Sequence, residues 1–186
     1  MNTMEAIKAR KSVRSYLNKA VEEDKIRSIV EAGAMAAGTP MAGKIYFSVI
    51  TNPQLLTKIT EGAKGVMSKS GIDMLVKLAS NSGFNPMYGA PVAVVISTDK
   101  AADPNSQNMT VANAACAGEN MLIAATDSGL ASCYLVSPTL AFAIPEIKAA
   151  AKIPENAVPQ AMIVFGYSED NKPHAPKSFD NIVYVK

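Results

Sequence analysis

Apolar residues in this 186-residue chain recur with two periods, and the switches between them mark out the elements. Helical spacing is seen in Met4 and Ile7 of a short helix over Met4–Ala9, with Thr3 as its cap. A helix over Glu22–Ala37 would bury Ile26, Ile29, Val30, Gly33, Ala34 and Ala37, and Asn52–Pro53 opens a third that packs Leu55, Leu56 and Ile59. Short β-branched runs predict strands at Ile45–Ile50, Pro91–Ser97, Leu130–Val136 and Ala161–Tyr167. The longest apolar stretch, Met109–Tyr134, predicts a central helix that starts after the polar run Asp103–Ser106 and stops at a left-handed Gly129. Its apolar residues, Val111, Ala112, Ala115, Cys116, Met121 and Leu122 among them, nearly encircle it. Most of its surface should therefore be covered, by its own core or by a second copy. Glu119 and Asn120 sit in its middle and each needs a partner if buried.

The remaining stretches are less regular. Residues 62–85 contain helical pieces around Ile72–Leu78 broken by Gly71 and Gly83, which suits either a mobile lid or loose surface structure. Pro138–Ala151 reads as short helical turns interrupted at Pro145. The end, Glu169–Lys186, is a polar, proline-bearing arm followed by Asn181–Val185, an edge strand or one that crosses to a partner. Helices interspersed with four or five strands, without a linker or repeat, predict one α+β three-layer domain over residues 1–186.

Composition narrows the function classes. A net charge of +2, with no Lys/Arg-rich block or aromatic ladder, argues against nucleic acid. No run approaches the roughly 20 apolar residues that span a bilayer, and MNTMEAIKARK lacks a signal-like apolar core. Cys116 and Cys133 are read as two buried thiols of a cytoplasmic chain. With His174 as its one histidine, the chain has little material for a histidine-based metal cluster or serine triad. No GxSxG, CxxC, HExxH, GxGxxG or phosphate-loop pattern occurs.

One local pattern does carry chemistry. If Arg10–Tyr16 is extended, Arg10, Ser12 and Arg14 point the same way, because side chains repeat with period two. Two guanidinium groups and a hydroxyl suit a phosphate monoester, while the competing reading is a solvated basic turn. Glu119 is either a general acid or base or, mid-helix, a paired structural residue. An enzyme so poor in catalytic motifs would draw its power from a cofactor, and an anion site beside an apolar core suits a phosphorylated flavin.

The chain resembles the nitroreductase family of FMN-dependent NAD(P)H oxidoreductases. Four stretches in family order carry the likeness: Arg10–Tyr16; Tyr88-Gly89-Ala90-Pro91-Val92; Glu119–Ala125 running on to Gly129–Tyr134; and Ile153-Pro154-Glu155 with Ala161–Tyr167. The resemblance implies an intertwined homodimer with a mostly antiparallel sheet, FMN at the subunit interface, NAD(P)H as reductant, and a small organic acceptor such as a nitroaromatic or quinone. A non-catalytic FMN-binding dimer is the alternative. Residue by residue, it implies phosphate and ribityl contacts from Arg10, Ser12 and Arg14, with Lys11 as a basic neighbour and Lys177 reaching the same phosphate. Val136 and Ser137 would lie over the flavin, and Asn85 near its pyrimidine edge. The loop after the second helix departs from the family, which commonly carries Asn, Gln and Pro-Trp there. Here Thr39–Tyr46 has neither the amides nor the tryptophan. Its one charged residue, Lys44, would either face the flavin's pyrimidine side and favour the reduced form or simply face solvent.

Overall fold

The computed structural model describes residues 1–172 and 177–185. Four strands, β1 (Ile45–Ile50), β2 (Val92–Asp99), β3 (Ala131–Leu135) and β4 (Ala157–Gly166), form one antiparallel sheet in the order β1-β2-β4-β3. Six α-helices flank it: α1 (Thr3–Ala9), α2 (Glu23–Ala34), α3 (Pro53–Met67), α4 (Asp73–Ser80), α5 (Pro104–Asp127) and α6 (Pro145–Ala150). Two 3₁₀ turns, Pro40–Ala42 and Ser137–Ala143, complete the described elements.

Alternation along the central strands sorts side chains into two cores and so builds three layers. Ala93, Val95, Met162 and Val164 meet Leu56, Ile59 and Ala63 of α3 on one face. Val94, Ile96, Ile163 and Phe165 meet Ile29 of α2 and Ala117, Met121 and Leu122 of α5 on the other. β2 and β4 are covered on both sides, and their near-continuous apolar runs follow from that. Each large side chain there contributes about 1.5–3 kcal/mol by leaving water.

Local chemistry sets the helix ends. Asn2, rather than Thr3, caps α1 in a reciprocal box with Glu5, the Glu5 N–H reaching Asn2 Oδ1 at 2.9 Å. Asn52 caps α3, with Pro53 in its first turn. The central helix starts earlier than its apolar pattern, at Pro104, because Asp103 accepts the N–H groups of Asn105 and Ser106 and turns the polar run into a first helical turn. It ends as expected: Gly129, at φ 74°, donates to Thr126 while Leu130 donates to Ala125.

Other expectations are corrected. α2 stops at Ala34, and Ala34 and Ala37 are exposed, because the chain leaves to bond Asn113 through both the N–H (3.0 Å) and the C=O (3.1 Å) of Thr39. Cys116 is exposed and only Cys133 is buried, since α5 turns one side to the sheet and the other outward. On that outward side lie Val111, Ala112, Ala115 and Glu119. Asn181–Val185 pairs with no strand among the described residues and so is not an edge strand of this sheet, and Phe179, Val183, Tyr184 and Val185 are exposed.

Candidate functional site

The basic segment follows directly from the end of α1. Arg10 closes the helix by donating its N–H to Ala6 and then turns extended, at φ −57° and ψ 126°. Ser12 forms a parallel bridge with Ser132 on β3, and the Val13 N–H donates to Ser132 O at 2.9 Å. Farther on, the Leu17 N–H donates to Tyr167 O at 2.8 Å, so the segment is laid across the end of the sheet where β3 begins and β4 finishes. Its extended geometry sends alternate side chains to opposite sides, with Val13 buried.

The bridge to Ser132 sets Ser12 beside the stretch of β3 that holds Cys133, and the charges of Arg14 and Arg10 act on the Cys133 thiol. Burial pushes the thiol above its ordinary range, while the Arg14 charge, a hydrogen bond with Ser12 and the Arg10 charge pull the other way. Arg10 Nε lies 3.3 Å from Glu119 Oε1 on α5. With the Glu119 side chain 53% exposed, that pair is worth at most about 1 kcal/mol, and it serves mainly to orient the guanidinium. Arg14 Cζ lies 6.0 Å from the centre of the Tyr88 ring. Tyr88 takes a left-handed conformation, φ 57°, immediately before Gly89 at φ 75°. A non-glycine residue there costs about 1–2 kcal/mol, and the turn places the ring under Arg14. Beneath this group the Tyr16 hydroxyl donates to Val13 O at 2.9 Å, and burial raises its pKa far above the usual phenol range.

Lys11 faces the other way. Its ammonium donates to the Asp170 carbonyl (2.9 Å), the Asp170 carboxylate (3.2 Å) and the Lys172 carbonyl. Lys11 and Val13 border a cavity of about 230 Å³ with Ser132, Tyr167 and Asp170.

The remaining expected residues fall in four places. Asn85 comes three residues before Tyr88; its Oδ1 accepts the Met87 N–H at 2.8 Å, and it borders a cavity of about 450 Å³ between α2, α3 and residues 85–92. That cavity excludes Arg10, Ser12 and Arg14, so the arginine group and this concavity are separate features of the single chain. Val136 and Ser137 follow the end of β3, Val136 exposed and opening the 3₁₀ turn Ser137–Ala143. Lys44 is exposed at the opposite end of the sheet, its N–H donating to Asp99 at 2.9 Å. The level of Ser12 corresponds to Phe165 on β4 and that of Ile45 to Val158, roughly 20 Å apart along the strands. Lys177 is exposed on the arm, and His174, Ala175 and Pro176 lie outside the described residues.

Sequence reasoning missed the Glu119–Arg10 pair, the Tyr88 ring beside Arg14 and the Asn113 clamp on Thr39. All three depend on contacts between distant parts of the chain. Tyr88-Gly89 entered the sequence reading only as part of the family resemblance, and the left-handed turn it forms was not read from it.

Among the described residues no group of His, Cys, Asp and Glu could hold a metal ion, and no helix is long and apolar enough to cross a membrane. The crystal structure of a nitroreductase with bound FMN from Bacteroides fragilis superposes with a TM-score of 0.87 at 29% identity, covering 100% of both chains. A nitroreductase with bound FMN from Desulfitobacterium hafniense shares the fold, at a TM-score of 0.84, 22% identity and 100% coverage of both chains. A protein of Methanothermobacter thermautotrophicus with the provisional name NADH dehydrogenase/NAD(P)H nitroreductase is 27% identical over 172 residues, 92% of this chain and 80% of that relative. The sequence model of the nitroreductase family matches residues 7–167, from inside α1 to just past β4. Both the pattern of residues and the arrangement of elements therefore lead to one assignment: the chain belongs to the nitroreductase family.

Proposed function

We propose that this chain is an FMN-dependent oxidoreductase that takes electrons from NAD(P)H and passes them, as a homodimer, to a small organic acceptor such as a nitroaromatic or quinone. The placing of Arg10, Ser12 and Arg14 on one extended segment, tied to β3 through Ser12 and Ser132 with Glu119 beside Arg10 and Tyr88 beside Arg14, carries this reading. Two guanidinium groups and a hydroxyl match a terminal phosphate monoester in charge and donor count, so the donor set fits FMN. Bound FMN would supply hydride acceptance and electron delivery, chemistry that no side chain of this chain need perform.

The chain's own residues hold and orient. Glu119 engages Arg10 at Nε, so a phosphate contact from Arg10 uses its terminal nitrogens. Asn85 has committed its Oδ1 to the Met87 N–H, which makes its amide NH₂ the group offered to the pyrimidine edge. Val136 and Ser137 present backbone beside the ring, and Lys177 reaches the phosphate from the arm. Lys44, at the far end of the sheet, enters the site only from a second copy.

Three features support the dimer. The outward side of α5 carries Val111, Ala112, Ala115 and Cys116 into solvent. β1 forms an edge of the sheet, and the exposed arm holds Phe179, Ile182, Val183 and Tyr184. In this reading residues 1–186 form a single domain whose arm, residues 169–186, packs on the partner.

Titration of flavin-free protein with FMN, FAD and riboflavin, followed by anaerobic mixing with NADH and with NADPH, tests both parts. FMN should bind most tightly, and at least one nucleotide should bleach it. Equal affinity for FMN and riboflavin would refute the phosphate site. Tight FMN binding without bleaching would favour a non-catalytic FMN-binding dimer, the reading that the altered Thr39–Tyr46 loop supports.

A further inference from the structure

The arginine side of the Arg10–Arg14 segment is accounted for by an anion, but Lys11 is not. An ammonium has three N–H donors, and those of Lys11 meet three acceptors, all on residues 170–172 of the C-terminal stretch. These acceptors are gathered by a local turn. The Asp170 N–H donates to Ser168 Oγ at 3.0 Å, and the Lys172 N–H donates to Asp170 Oδ1 at 3.1 Å. The Lys11 and Asp170 side chains are only 23% and 25% exposed, so the contact is partly shielded from water. Val13, buried two residues on, fixes the direction in which Lys11 projects.

We propose that Lys11 is a positioning residue that latches the root of the C-terminal arm to the anion-binding segment, and so couples occupancy of the Arg10–Ser12–Arg14 cluster to docking of the arm on a second copy. The inference rests on the phosphate site and arm-mediated dimer proposed above, and it removes Lys11 from the phosphate ligands. Because one five-residue segment holds both the anion and the arm root, ordering it for one task lowers the cost of the other. By linkage, phosphate-bearing flavin then tightens the dimer as much as dimerisation tightens that flavin.

The full-length protein decides this through K11M, K11R and D170A, with R14A for comparison. FMN and riboflavin affinities, the dimer dissociation constant with and without FMN, and tryptic cleavage after Lys177 are measured for each. Measured in protein dilute enough to be monomeric, where dimer coupling makes no contribution, the FMN-to-riboflavin affinity ratio should be unchanged in K11M and should collapse in R14A. K11M should weaken the dimer about tenfold, the loss expected for one charge-assisted contact, and abolish its tightening by FMN. K11R should restore part of both, and cleavage after Lys177 should quicken in K11M. D170A, which removes one acceptor at a residue outside the binding cluster, should shift the dimer and the cleavage in the same direction and keeps the test open if K11M does not fold. A collapse of the affinity ratio in K11M would make Lys11 a phosphate ligand and overturn the latch. Unchanged dimer dissociation and cleavage in K11M and D170A would overturn it too. Equal wild-type affinity for the two flavins would sink the phosphate reading and with it the coupling. Cleavage rates would still decide the latch itself, faster cutting in K11M and D170A upholding it and unchanged rates refuting it.

Discussion

Arg14 and Arg10 are unequal members of one cluster. Arg10 shares its charge with Glu119, while Arg14 has an aromatic neighbour and no carboxylate within salt-bridge reach among the described residues. Arg14 should therefore carry more of the phosphate recognition. Removing it in R14A should cost about 1.5–3 kcal/mol of FMN binding, roughly ten- to hundredfold in affinity, and leave riboflavin binding unchanged. Asp99 supports a different expectation. The Lys44 N–H, followed by the Tyr46 hydroxyl at 2.8 Å, holds its carboxyl below the usual value of 3.8. A carboxyl with a lowered folded-state pKa adds stability that is present above the unfolded value and fades as pH falls through the folded one. D99N should thus flatten the acid side of the stability curve below about pH 4 and lower stability at neutral pH, as read by urea unfolding across pH. The period-two arginine pattern was legible because it lies within one short segment. Cys133 and Glu119 were not legible as its neighbours, because only the sheet and α5 carry them there.

For whole elements, legibility tracked how local the cause was. The strand Ile45–Ile50 and the Asn52–Pro53 helix start matched their patterns because β-branched runs, caps and prolines act on adjacent residues. The start of α5 was missed because Asp103 and Pro104 look like a loop until a helix follows them. Asn181–Val185 reads as an edge or partner-crossing strand, and among the described residues it has no neighbouring strand to pair with. The two thiols turn the outward side of α5 into a measurable quantity. Burial keeps the Cys133 thiol protonated and slow to react, so labelling reports on the exposed Cys116. In the proposed dimer Cys116 lies on the covered side of α5. Alkylation should accelerate on dilution through the dimer dissociation range and follow the monomer fraction seen by sedimentation. Fast labelling at every concentration would mean that α5 faces water in solution.

The sheet sets the distances of the whole molecule. Its order and antiparallel pairing bring the start of β2 and the end of β4 to one rim, where Ser12, Tyr88 and Arg14 gather, and send Lys44 to the other. No single-chain sequence pattern reveals such a separation, since Lys44 and Asn85 are nearer in sequence than Arg14 and Tyr88. The two edges of the sheet also differ. β3 is flanked by Ser12 through a bridge, while β1 meets no described strand on its outer side. An unpaired rim of backbone donors and acceptors will accept a stranger's strand as readily as a partner's. If each copy gives its arm to the copy that gives one back, the exchange closes after two and both rims are sealed. If the gift passes to a third copy the assembly has no natural end, and the same contacts that make a soluble pair would make a filament.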